Sequence, residues 1–178
     1  MTDTTDPVTA EIAAHDATAT LAQAGGRWVL SMTRDLPYPA ERVWPKLTEP
    51  GELGKWSPVV PSRPLTSVGP ATTRENPGEE SIDAEVLACD PPRELVHRWG
   101  PEQLLRWTLT PTAEGCRLTL AHTFDDRSEC GMYGAGWHLC LAVLVVVLGG
   151  QDVPRITGER AGDYGWAALR DRYDARLA

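Results

Sequence analysis

A chain of 178 residues that is 42% apolar and 24% charged is sized for one domain with a substantial core. Its 25 acidic residues against 17 basic ones leave a net charge of −8, and lysine occurs only at Lys46 and Lys55. Nucleic acid is excluded as a partner, because no basic cluster is present to displace counterions.

Residues 1–17 carry Asp3, Asp6, Glu11 and Asp16 and no Lys or Arg. They are expected to form a loose acidic tail, with at most a frayed helical piece from Val8 to His15. One domain is expected over 18–178. The first 26 residues are polar and acidic, unlike a secretory signal, so a cytoplasmic location with reduced thiols is expected. Thr18–Ala24, Gly25-Gly26 and Arg27–Leu36 read as a β-hairpin around a Gly-Gly turn. Alternation puts Trp28, Leu30, Met32, Arg34 and Leu36 on one face of its second strand.

Leu36 to Trp56 reads as a turn, a short helix carrying Val43, Trp44 and Leu47, a break at Pro50-Gly51, and a second short helix. Pro39 suits the first helical turn. Trp44 and Trp56 are expected to anchor these helices to the sheet end. The segment after Trp56 is rich in proline, so only a loop with short edge strands near 64–76 is expected.

Ser81 to Phe124 then reads as an antiparallel meander of four strands with short turns. Its inward sets are Ile82, Ala84 and Val86; Leu95, His97 and Trp99; Leu105, Trp107 and Leu109; and Cys116, Leu118, Leu120, His122 and Phe124. From Gly131 the pattern becomes helical, with Trp137, Leu141, Leu144 and Leu148 in helical spacing. The ten-residue apolar run Leu139–Leu148 is about half a membrane span, so no membrane insertion is expected. Gly149-Gly150 ends this helix. Asp163 is a candidate N-cap for a last helix, Tyr164–Leu177, with Trp166, Leu169 and Tyr173 on one face.

Four stretches, LPYPAERVWPKLTEPGELGKW at 36–56, CDPPRELVHRWG at 89–100, LTPTAEGCRLTLAHTFDD at 109–126 and AGWHLCLAVL at 135–144, resemble the START-like, or birch-pollen-allergen-like, superfamily. Within it the chain resembles bacterial homologues of the C-terminal domain of the heat-shock protein 90 ATPase activator, over about residues 18–178. The resemblance implies an α+β helix-grip fold. A curved antiparallel sheet wraps a C-terminal helix, and two short helices close one end. It also implies a cavity between helix and sheet for a small hydrophobic or aromatic molecule. The interruption from Gly149-Gly150 to Gly162 departs from the single long helix of many relatives, and the piece 131–148 is expected to fill the grip.

The alternation directs Arg34, His97, His122 and, on the helix, His138 toward that cavity. Polar groups in an apolar pocket fix a ligand's orientation. The expected lining is Arg34, His97, Trp99, Trp107, His122, Phe124, Trp137, His138 and Leu141. The plainer alternative is that each is a satisfied core side chain, with Arg34 paired to a carboxylate such as Glu85. No metal site and no cofactor are expected: the histidines lack a short ligand motif, and Gly131, Gly134 and Gly136 fit no phosphate-binding loop. No Cys–His nucleophile is expected either. Cys140 and His138 are two apart on a helix, and Cys116 and His122 lie about 20 Å apart on a strand. Three functions follow: ligand binding without catalysis, a polyketide cyclase or aromatase activity using His97, His122 or Arg34, and a co-chaperone-like interaction module. A monomer or homodimer is expected.

Overall fold

The computed structural model describes residues 6–178, apart from the side chain of Glu159. The hairpin strands β1 (Thr20–Ala24) and β2 (Arg27–Leu36) meet at Gly25 and Gly26, whose φ values of 59° and 80° are the left-handed pair that a two-residue hairpin turn requires. β2 continues into helices α2 (Ala40–Thr48) and α3 (Pro50–Leu53). Pro39 stands one position earlier than expected, as the N-cap of α2, and Pro50 opens α3. Trp56 is fully buried and donates its indole N–H to Lys46 O at 2.8 Å, tying the end of α3 back to α2.

The meander is β6 (Val86–Asp90), β7 (Glu94–Trp99), β8 (Gln103–Pro111) and β9 (Cys116–Phe124). Together with the hairpin it forms one six-stranded antiparallel sheet, ordered β1-β2-β9-β8-β7-β6. The proline-rich stretch forms a separate small sheet from β3 (Val60–Pro61), β4 (Thr72–Arg74) and β5 (Ile82–Asp83). This corrects the reading of Ser81–Cys89 as one strand. Ile82 pairs with Thr73 in the small sheet and is exposed, whereas Ala84 and Val86 are buried as expected.

Helix α4 (Cys130–Leu148) fills the concave face of the large sheet, and α5 (Trp166–Arg176) packs on its outer side. Asp163 does not cap α5; it lies in a 3₁₀ segment, and Gly165 is the N-cap. With its 3₁₀ lead-in, the span Arg127–Leu148 is long and apolar enough to cross a bilayer. Within the fold, 78% of its most apolar window is buried, so it is the core helix. The architecture is therefore the α+β helix grip that the sequence words imply.

The N-terminal segment differs from the expected loose tail. Residues 1–5 lie outside the described residues, but Pro7–Ala14 form a helix, α1, docked on α4. Asp6 caps it by accepting from Thr9 N, and Val8 is buried. Acidity alone did not reveal this, because two apolar side chains, Val8 and Ile12, suffice to seat one helical turn on a neighbour.

Candidate functional site

The alternation of β7 and β8 turns Trp99 and Trp107 toward α4, where Trp137 meets both. Trp99–Trp137, Trp107–Trp137 and Trp56–Trp107 pack edge to face, with ring centroids 5.2, 5.4 and 5.8 Å apart. Beside them lies a void of ≈ 20 Å³ walled by His97, Trp99, Trp107 and Trp137, with Ser57 and Thr73 on its other side. That is room for one water-sized group, which needs about 10–15 Å³. The Thr73 hydroxyl is buried on this wall and has no hydrogen-bond partner among the described residues.

His97, Leu105 and His122 form one row across β7, β8 and β9. Both histidines are held by tryptophan. An indole N–H only donates, so the bonds from Trp107 Nε1 to His97 Nε2 (3.2 Å) and from Trp137 Nε1 to His122 Nδ1 (3.1 Å) fix the tautomers. His97 then donates Nδ1–H to Arg98 O at 3.0 Å. His122 donates Nε2–H to Gln103 Oε1 at 2.7 Å, Gln103 Nε2 donates to Tyr133 Oη at 2.7 Å, and Tyr133 donates to Glu129 Oε2 at 3.0 Å. A directed chain thus runs from the tryptophan cluster to a half-buried carboxylate. Burial lowers the pKa of His97 to about 4 and that of His122 to about 3, the latter helped by the Arg27 and His97 charges. Both are neutral near pH 7, with neither ring nitrogen free.

The nine expected lining residues do not share one cavity. His97, Trp99, Trp107 and Trp137 line the void, and His122 stands just behind Trp137. Phe124 is buried further along β9 against His122 and Tyr133. Leu141 is core packing within α4 and is not part of the wall. Arg34 and His138 belong to a different cluster under α1 and α5, because α4 turns His138 away from the sheet. His138 Nδ1 accepts from Tyr173 Oη at 2.9 Å, and Nε2 donates to Ile12 O at 3.1 Å. The suggested Arg34–Glu85 pair is absent; Glu85 pairs with Arg98 at 3.2 Å.

Gln103 and Tyr133 are not among the expected residues, although Gln103 shares the inward face of Leu105 and Trp107. Thr73 and Ser57 carried no sequence signal, since their position depends on the small proline-rich sheet. Among the described residues no group of three His, Cys, Asp or Glu is placed to hold a metal. The four cysteines are free, and burial raises all four thiols, Cys140 to about 12. None is an activated nucleophile.

The family model described as polyketide cyclase / dehydrase and lipid transport matches residues 27–136. No curated protein matches the chain. Among solved structures, DynU16, a protein in the dynemicin biosynthetic locus, is 29% identical with a TM-score of 0.61, over 72% of this chain and 51% of that one. CalU16 from Micromonospora echinospora is 18% identical with a TM-score of 0.67, over 91% of this chain and 94% of that one. EF2215 from Enterococcus faecalis, a conserved protein of unknown function, is 14% identical with a TM-score of 0.72, over 96% of both chains. The last two share the fold.

Proposed function

The chain belongs to the polyketide cyclase / dehydrase and lipid transport family, and on that premise we propose that it binds a small apolar or aromatic molecule between the meander and α4. The observation that carries this reading is the void at Trp99, Trp107 and Trp137 with the unpartnered Thr73 hydroxyl on its wall. A buried hydroxyl without a partner is costly, by about 1–3 kcal/mol, and a ligand's polar group would satisfy it. Tryptophan edges and faces around it suit a flat ring.

In this closed form the void of ≈ 20 Å³ is far below the about 300 Å³ that a drug-sized ligand fills. A wall must therefore yield. The sheet and α4 are continuous core, so the wall that moves is the proline-rich segment 57–73, which has little regular structure. Arg155 latches it shut, donating to Ser57 O at 3.1 Å, to Pro58 O at 3.0 Å and to Glu75 O.

The test is a titration with a panel of flat aromatic and lipid-like molecules, read by tryptophan fluorescence and by melting temperature. Saturable quenching with a rise in melting temperature is expected, since binding to the native state stabilises it. Thr73→Val is expected to weaken the response to ligands that carry a polar group. A melting temperature unmoved across the whole panel would sink the reading.

A second reading, cyclisation of a polyketide-like substrate, draws on the family description and on DynU16's place in a biosynthetic locus. It requires His97 Nε2 to release Trp107 and act as the base. It fits less well, because His97 is the one titratable side chain on the void's wall. Turnover of a polyketide mimic that survives His97→Gln would refute that role. The co-chaperone reading stands on the sequence resemblance alone, and a pull-down with the chaperone tests it. Free thiols at all four cysteines agree with a reducing, cytoplasmic setting.

A further inference from the structure

The second polar cluster, on the far side of α4's inner face, carries its own inference. Arg34 lies four residues beyond Leu30, the β2 partner of His122, so about 13 Å separates the two clusters along the strand. Arg34 is 4% exposed. Only Nη1 has a partner, Thr33 O at 2.8 Å, whereas Nε and Nη2 are buried with none. Nε and Nη2 form the guanidinium edge that matches both oxygens of one carboxylate. The Tyr173 hydroxyl stands beside the guanidinium and favours its charged form.

The surroundings favour an anion. Arg172, Arg176 and His15 act on the Tyr173–His138 pair, and Glu11 is the carboxylate within electrostatic reach of Arg34. Glu11 is already engaged with His15, at 2.8 Å. Ile12 O, on α1, can only accept, so His138 Nε2 carries the proton and Nδ1 accepts from the Tyr173 hydroxyl.

Helix α1 thus occupies the His138 Nε2–H through Ile12 O and brings Glu11 within electrostatic reach of Arg34. It has eight residues with one buried side chain, Val8, and an isolated helix of that length is unstable in water. Beyond the His138 bond to Ile12 O, its C-terminal side is tethered by Arg176 Nη1, which donates to Ala17 O at 3.4 Å. We propose that Arg34 and His138 form a carboxylate-binding site with α1 as its lid. Lifting α1 exposes the Nε/Nη2 edge and frees His138 Nε2–H, giving three donors to one carboxylate. Tyr173 is a positioning residue that holds the His138 ring through Nδ1. The site is separate from the tryptophan void and does not depend on it.

Propionate is the probe, with its uncharged amide and chloride at equal ionic strength as controls. Propionate is expected to raise the melting temperature saturably, by roughly 3–6 °C at ten times its Kd, and the amide and chloride are not. Hydrogen exchange at residues 7–14 should quicken in the same titration as the lid lifts. Arg34→Gln removes an unpaired buried charge, so it is expected to fold and to lose both responses. Val8→Asp unseats the lid in the full chain and should tighten propionate binding, because the open state no longer has to be bought from the closed one. An equal response to the amide, an undiminished response in Arg34→Gln, or weaker binding in Val8→Asp would overturn the proposal. Each of these results leaves the aromatic-ligand reading of the void untouched.

Discussion

His97, His122 and His138 are all neutral inside the fold, for the same reason. Burial disfavours the imidazolium, taking them to about 4, about 3 and about 4 from an ordinary 6.5. In the unfolded chain they take up a proton near pH 6.5, so between that value and about pH 4 the unfolded state binds more protons. Stability is then fully present above pH 6.5 and falls as the pH drops. The expected result is a denaturant midpoint that holds steady from pH 7 to 8 and declines below pH 6.5; a midpoint unchanged down to pH 5 would contradict it. The indole bonds make a second prediction at this scale. Trp137→Phe keeps a ring in the cluster but strands His122 Nδ1 without its donor. A loss of about 1–3 kcal/mol is expected in chemical denaturation.

The contact between α4 and α5 depends on two glycines that behave differently. A Cβ on Gly134 would stand 2.7 Å from the Tyr173 ring, which cannot turn aside because its hydroxyl is held by His138. A Cβ on Gly131 meets the Asp174 carboxylate, a side chain that is 41% exposed and free to swing away. Gly134→Ala is therefore expected to cost about 1–3 kcal/mol, and Gly131→Ala clearly less. Paired melting curves decide between them. The strap after α4 has its own test. Arg155→Ala removes the bonds that hold 57–75 closed, so faster hydrogen exchange in that segment and faster ligand association are expected, with β8 and β9 unchanged. Slower association would count against 57–73 as the moving wall.

Over the whole molecule, α4 divides the interior into two polar districts rather than one cavity. The sheet face beneath it is tiled by tryptophan and histidine at one end and by Arg34 at the other. A ligand in the void is expected to protect 57–73 from exchange while leaving α1 as it was, and a carboxylate at Arg34 is expected to quicken exchange in α1 while leaving 57–73 as it was. A single ligand that moved both segments together would show the districts to be coupled through α4.

The alternation of apolar residues by itself determined the hairpin, the last three meander strands with their inward faces, and the core helix, because a two-residue period and a helical period are local properties of the chain; it misread Ser81–Cys89, where Ile82 belongs to the small sheet. It placed His97, Trp99, Trp107 and His122 on the right face, and the same rule applied to Gln103 reaches the relay as well. What only the tertiary structure decided is which inward residues meet. His138 is buried as its spacing suggests, but the rotation of α4 sends it to Tyr173 and Ile12 instead of to His122. Thr73 reaches the void through a small sheet whose pairing is set by long-range contacts and not by local pattern. The size of the void was also beyond the sequence, since it is the small difference between a sheet's curvature and the volume of the tryptophans packed into it.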